Sequence, residues 1–341
     1  MPKLYNQWCS VVRWEKSTRP FLRSREFLWQ EGHTIHETAK EAEEETLRML
    51  NIYKKFFEEY LAIPVLVGKK TEKEKFAGAE YTLSLEALMY DGVSLQSATS
   101  HYFGQKFSKP FDVKFVDRNN QPQYVYQTSW GCSTRMIGAL IMVHGDDNGL
   151  VLPPKIAPKQ VVIASIRNDE NVLGAVDKIA ETLKKAGLRL QCDVSDKSAG
   201  FKFAEYEMKG VPVRIEVGPR DVANNQVVIA RRDTGTKEIV KFEDIERHVL
   251  ALLDEIQANM YERALKHTKE RTYTCTTLDE VKKIMETKPG FIKAMWCGAP
   301  ECEAKMKEIR GMKSRCIPFE EEHIADTCIV CGKKAKHMVY W

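Results

Sequence analysis

The chain has 341 residues, of which 43% are hydrophobic and 29% charged, and its net charge is +4. That is an ordinary globular composition with room for two or three cored domains, and it argues against a disordered or fibrous chain. No apolar run approaches the roughly 20 residues of a membrane span, the opening Met1 to Ser10 has no signal-peptide core, and so small a charge confines nucleic-acid binding to local patches.

Arg13 to His33 is the first stretch with chemistry in it. Val11 to Glu15 has the β-branched and aromatic content of a strand. Lys16 to Pro20 reads as a turn, because Pro20 removes a donor and biases Arg19 to extended geometry. Phe21 to Trp29 can return as the antiparallel partner. Such a hairpin holds Arg13 and Arg23 over one place with Glu15 beside them. Two fixed guanidiniums suit a triphosphate, since each fork matches phosphate oxygens bidentately, and Glu15 can accept from an adenine amino group. A surface hairpin with ordinary salt bridges is the competing reading.

Residues 38 to 61 form the clearest helix, with Thr38 and Glu41 as a capping box and Ala42, Leu47, Leu50, Tyr53, Phe57 and Leu61 as its apolar stripe. The acidic run Glu41 to Glu45 reads as its solvated face. Lys69 to Lys75 reads as a charged, mobile loop, and Phe76 as a core ring or a pocket aromatic. Leu95 to His101 reads as a polar loop segment. Residues 110 to 126 read as strand, turn, strand. Ser129 to Arg135 is a Gly-containing turn that sets Arg135 at the head of an apolar helix, a plausible nucleotide contact. His144, Asp146 and Asp147 turn the chain, and Pro153, Pro154 and Pro158 stiffen a boundary.

From Gln160 strands and helices alternate. Strands are expected at 160–166, 188–193, 211–217, 226–232 and 238–241, and helices at 168–186, 197–209 and on to about His267, with a turn at 218–221. The pattern implies a mixed sheet flanked by helices. Lys202, Lys209, Arg220, Arg231 and Arg232 are candidate RNA contacts or plain surface charge. The chain has nine cysteines, and five of them lie after residue 290. Cys297 with Cys302 and Cys328 with Cys331 offer four thiolates to one tetrahedral zinc, leaving Cys316 spare; a redox pair is the rival reading.

Arg13-Trp14-Glu15, the loop, and Arg23 to Phe27 resemble motif 2 of the class II prolyl-tRNA synthetases of the eukaryotic/archaeal type. Ser129 to Arg135 resembles motif 3. Thr71 to Thr82 and Gln96-x-x-Thr99-Ser100-His101 are similar to further family signatures. The resemblance runs from about Asn6 to the C-terminus. It implies an α+β and α/β chain: a class II antiparallel-sheet catalytic domain over 1–158, a mixed α/β anticodon-binding domain over 159–267, and a zinc-binding α+β domain over 268–341. By the same resemblance the chain is a proline–tRNA ligase using ATP, Mg2+ and a structural Zn2+. It forms prolyl-adenylate from L-proline and passes proline to tRNA(Pro) in the cytoplasm, with no membrane partner.

The implied catalytic residues are Arg13, Glu15, Arg23 and Arg135. ATP is assigned these four with Ser24, Gln96, Thr99 and Ser133, and Gln96 is also assigned the magnesium that travels with ATP. Proline is assigned Arg13, Trp29, Glu31, His33, Phe76 and His101. Only 12 residues precede Arg13, so motif 1, its dimer-forming helix and the Thr-x-Glu proline loop have no counterpart in these residues. The loop after Glu15 is one residue short and lacks the usual Phe, and Trp341 follows the expected final tyrosine, Tyr340. The family's homodimer is therefore expected only of an intact member, and apolar surface is expected on the catalytic sheet. The alternative reading is an inactive paralogue that binds tRNA or regulates.

Overall fold

The computed structural model describes residues 1–341. The first stretch contains β1 (Lys3–Val12), β2 (Glu26–His36), α1 (Ala39–Lys55), β3 (Val65–Lys69), β4 (Tyr81–Leu88), β5 (Ser94–Gly104), β6 (Lys114–Val116), β7 (Pro122–Tyr124), β8 (Tyr126–Ser133) and α2 (Arg135–His144). Next come β9 (Val161–Ser165), α3 (Glu170–Lys185), β10 (Leu190–Asp193), α4 (Ala199–Met208), β11 (Val213–Val217), α5 (Pro219–Ala223), β12 (Gln226–Arg231), β13 (Lys237–Lys241) and α6 (Ile245–Glu270). The last stretch has β14 (Thr272–Thr274), α7 (Leu278–Thr287), β15 (Phe291–Trp296), α8 (Pro300–Glu308), β16 (Ile317–Pro318) and β17 (His337–Tyr340).

Two compact units result. One comprises Met1–Glu58, Pro64–Met142 and Lys266–Trp341; the other comprises Glu59–Ile63 and Val143–Leu265. The first is built on a seven-stranded sheet in the order β1-β2-β8-β5-β4-β3-β16, whose strand pairs are all antiparallel. Helix α1 covers one face: Ala42 and Leu50 are wholly buried, as is Phe57 in the turn that follows, and the Ser100 hydroxyl reaches back to the Thr46 carbonyl at 2.8 Å. The Thr38–Glu41 capping box forms as expected. Leu47, placed in the stripe by spacing, is instead exposed, whereas Glu45 in the acidic run is buried and paired with Arg48. The sheet's edge strand β1 carries Leu4, Tyr5, Trp8 and Val12 in solvent.

Four other local expectations shift. The first hairpin forms, but β1 stops at Val12 and β2 begins at Glu26. The residues between fold back on themselves through an Arg19–Arg23 bridge and a Leu22 N–H bond to Pro20 O at 2.7 Å. Leu95 to His101 is strand, not loop, because it lies between β4 and β8 with partners on both sides. Ser129 to Ser133 is likewise strand despite Gly131, and Arg135 opens the helix as expected. Lys69 to Lys75 is held rather than mobile: Lys70 is buried against Glu86 at 2.5 Å.

In the second unit the five-stranded sheet β10-β9-β11-β12-β13 mixes parallel and antiparallel pairs. Val161, Ile163, Val213, Ile215 and Ile229 meet Val176, Ile179 and Leu183 of α3 and Val249, Leu252 and Ile256 of α6 in one core. The expected 218–221 turn is the short helix α5, opened by Pro219 in its first turn. Asp146 bonds Arg232 through both oxygens, at 2.5 and 2.7 Å, and closes a turn with Gly149, so it serves chain direction.

His144 is buried and donates through Nε2 to Leu61 O at 2.9 Å. Burial pushes it down to about 4. Between pH 6.5 and 4 the unfolded chain therefore binds a proton that the folded chain refuses. Stability from this group is complete above about pH 6.5 and falls as pH drops towards 4, by about 3 kcal/mol in all. Denaturant titrations from pH 7 to 4.5 should show that loss, and His144→Asn should remove most of it; equal slopes in both proteins would contradict the assignment.

Candidate functional site

On the sheet face away from α1 lies a cavity of about 390 Å³, within the usual range for small-molecule sites. Register builds it. His33, Ser129, His101 and Thr82 stand in one row across β2, β8, β5 and β4; Glu31, Gly131, Thr99 and Ser84 form the next row; Trp29 pairs with Ser133. Gln96 should point to the opposite face from Thr99 if β5 were regular. A bulge near Leu85 and Glu86 leaves Ser97 unmatched and sets Gln96 opposite Glu86, so Gln96 and Thr99 share the cavity face. Of the residues expected from sequence, Arg13, Trp29, Glu31, His33, Phe76, Gln96, Thr99, His101, Ser133 and Arg135 all line this one cavity.

Arg13 sits just past the end of β1. Its N–H bonds Arg25 O at 2.7 Å, and its guanidinium lies over the rings of Phe27 (5.4 Å) and Trp29 (5.5 Å). Those aromatic faces hold the fork in place while leaving its donors free for an anion. Arg135 Nε donates to Leu22 O at 3.0 Å and Nη1 to Gln96 O at 3.3 Å. Gly138 lets the loop sit close on α2: a Cβ there would stand 2.5 Å from Leu22 Cδ2, and that side chain would have to move. Burial lowers the Arg135 pKa, and the nearby guanidiniums of Arg23 and Arg13 lower it further. Arg13 and Arg135 thus face one cavity with no carboxylate bonded to either, and Arg23 lies close enough to add to their field.

Glu15, Arg23 and Ser24 do not line the cavity. Arg23 Nη1 donates to Glu15 Oε2 at 3.0 Å, so this pair is joined on the exposed loop beside the site.

The other end of the cavity is aromatic and neutral. The Phe76 ring stands 5.4 Å from His101, which in turn stacks at 6.1 Å on Phe103. His101 Nδ1 and Thr82 Oγ1 are 2.9 Å apart, and Thr82 Oγ1 accepts from Phe76 N at 3.0 Å. Burial and then the neighbouring His33 push His101 down to about 4, so it is neutral at pH 7. Glu31 pairs with His33 at 2.9 Å and also accepts from Gln7 at 2.8 Å.

Sequence reasoning missed Phe27, Glu74, Lys75, Thr82 and Phe103, which also line the cavity. Phe27 and Phe103 were legible in principle, each lying two residues from a chosen one, Trp29 and His101, on the same strand. Glu86 was missed too. It is wholly buried, Oε1 takes Lys70 at 2.5 Å and Ser84 at 3.0 Å, and Oε2 has no partner. An orphaned anionic oxygen opposite Gln96 fits a cation held beside phosphates.

In the C-terminal stretch the sulfurs of Cys297, Cys302, Cys328 and Cys331 all lie within 4.8 Å of one another. The Cys297–Cys302 and Cys297–Cys331 separations are 3.6 and 3.7 Å. Tetrahedral Zn–S bonds of about 2.3 Å put sulfurs about 3.8 Å apart, so the set fits zinc with no open position. Left-handed Gly298 and Gly332 turn the two knuckles. Cys316 stands outside the set, buried, its thiol pushed up to about 12 by that burial.

The RNA candidates divide. Lys202 is buried and donates to Ser165 O at 3.0 Å. Arg231 is joined to Asp233 and Glu255, and Arg232 to Asp146. Those three are spent inside the fold. Lys209, paired with Glu205, and Arg220 remain exposed.

Three family models match the chain: a tRNA synthetase class II core domain (G, H, P, S and T) over residues 1–144, an anticodon binding domain over 160–252, and a prolyl-tRNA synthetase C-terminal domain over 278–341. A proline–tRNA ligase of Clostridium novyi is 61% identical over 100% of this chain and 71% of its own length. A proline–tRNA ligase 2 of Bacillus cereus is 60% identical over 100% of this chain and 72% of its own, and a proline–tRNA ligase of Lachnoclostridium phytofermentans is 57% identical over 100% and 71%.

The cysteine geometry predicts about one zinc ion per chain by elemental analysis, retained in Cys316→Ser and lost in Cys328→Ser. Unchanged metal after Cys328→Ser would rule out this ligand set.

Proposed function

Because the chain belongs to the prolyl-tRNA synthetase family of class II aminoacyl-tRNA synthetases, we propose that it activates L-proline with ATP and transfers it to tRNA(Pro). The proline carboxylate attacks the α-phosphorus and pyrophosphate leaves. A hydroxyl of the terminal tRNA adenosine then attacks the prolyl-adenylate carbonyl and AMP leaves. Neither step needs a side-chain nucleophile. The observation that supports this reading is the meeting of Arg13 and Arg135 with Phe76 and His101 in one cavity, cationic at one end and neutral at the other.

In this reading Arg13 and Arg135 offset charge on the α-phosphate as it builds, a preorganised effect that is strong in a half-buried site. Arg23, Glu15 and Ser24 meet the nucleotide from the loop, with Ser133 and Thr99 below. Mg2+ bound with ATP neutralises phosphate charge, and Gln96 and Glu86 are the residues we assign to it. Phe76, Trp29 and neutral His101 surround the proline ring, while Glu31 and His33 stand where its ammonium would lie. A neutral imidazole avoids repelling that ammonium.

Residues 1–158, 159–267 and 268–341 are proposed as catalytic, anticodon-binding and zinc-bearing parts. Of the five basic candidates, Lys209 and Arg220 are the two whose exposure lets them meet RNA. The four-thiolate set supports the eukaryotic/archaeal architecture, here beside bacterial relatives. A cytoplasmic location and the family's homodimer belong to the same proposal; no helix is long and apolar enough to cross a membrane.

Proline-dependent pyrophosphate exchange tests the reading. Arg13→Ala should lower kcat/KM by roughly a thousandfold, about 4 kcal/mol of transition-state stabilisation. Exchange that survives this change would remove the role of Arg13, and tRNA binding without any exchange would favour a regulatory protein.

A further inference from the structure

The segment Gly68 to Phe76 enters the cavity held on one side by β4 and residues near it, and on the other by residues 303–318. Gly68 and Lys69 pair with Pro318 and Ile317 of β16, an approach so close that a Cβ on Gly68 would lie 2.3 Å from Ile317 O. Three residues on, Thr71 Oγ1 donates to Glu303 Oε1 at 2.9 Å, and Ser314 Oγ donates to the same oxygen at 2.6 Å, all three side chains buried. At Glu74 the two carboxylate oxygens are taken by two different lysines, Oε1 by Lys307 and Oε2 by Lys313 at 2.5 Å. Burial raises the Glu74 carboxyl, but the two ammoniums outweigh it and hold the group below the usual carboxylate range.

Glu74 and Lys75 line the cavity wall, and Phe76 follows. The Phe76 ring is half exposed, touching His101 and Phe103 on one side only, so its place depends also on its backbone, whose N–H bonds the Thr82 hydroxyl. An isolated surface ion pair would contribute little. Here three ties act in series on nine residues, and the ion pair is the last before the cavity.

We propose that Lys307 and Lys313 are positioning residues for the cavity, acting through Glu74 to set Lys75 and Phe76 for the bound amino acid. The C-terminal stretch is thereby part of the site's support, although none of its residues lines the cavity. The amino-acid part of this inference rests on the function proposed above; the mechanical part does not.

The test compares the full chain with Lys307→Ala/Lys313→Ala and with Lys307→Arg/Lys313→Arg. Amide hydrogen exchange at Glu74 and Lys75, whose N–H groups bond Thr71 O at 3.1 and 2.9 Å, should speed up about tenfold in the alanine pair, with β4 amides unchanged. In pyrophosphate exchange the KM for L-proline should rise about tenfold with kcat little changed, and the arginine pair should restore both. Glu74→Gln keeps the shape, removes the charge, and should loosen the same two amides even if the alanine pair folds poorly. Unaltered exchange at residues 74 and 75 in both variants overturns the proposal, as does a loss confined to kcat. If the unaltered chain forms no adenylate, the hydrogen-exchange arm still decides whether the lysines hold the segment.

Discussion

Everything at the site depends on the pairing register of four antiparallel strands. Side chains alternate along a strand, so a slip of one residue between β2 and β8 would carry Trp29, Glu31 and His33 to the face that α1 covers. Register is held from the far side. Thr34, paired with Thr128, bonds its hydroxyl at 2.5 Å, and Ser100 reaches the backbone of α1. The buried face thus specifies the alignment that the open face uses, which separates the work of folding from the work of binding.

Charge is arranged with the same economy of parts. The cations gather where the chain leaves the sheet, at the loop after β1 and the first turn of α2. There the helix N-terminus and unspent guanidinium donors all favour an anion. Cation–π contacts and backbone carbonyls, rather than carboxylates, hold Arg13 and Arg135. Carboxylate partners would have cancelled the field that a triphosphate needs. Arg23 does carry such a partner in Glu15, and correspondingly it stands outside the cavity.

Much of this was legible in the residues. The α1 capping box, the alternation of strands and helices after Gln160, the helix headed by Arg135 and the cysteine knuckles are local signals, and each appears where its chemistry says it should. What escaped was non-local. Leu95 to His101 looks like a loop because its residues are polar, and it is a strand only because both neighbours bond it. Lys69 to Lys75 looks mobile because its charges seem unpaired, but Lys70 meets Glu86 across the sheet and Glu74 meets Lys307 and Lys313, more than two hundred residues away. Lys202 looks like surface charge for the same reason, since only the tertiary fold shows Ser165 capping its ammonium.

The irregularity at Ser97 has a wider bearing. Removing that one residue would give β5 a straight ladder against β4, with Gln96 two places from Thr99 and so still on the cavity face. Keeping it but closing the bulge would instead rotate Gln96 towards the helix and empty the corner beside Glu86 of its amide. Changes that straighten this strand without shortening it therefore work against its use, whereas a chain one residue shorter here would still present the same amide beside Thr99.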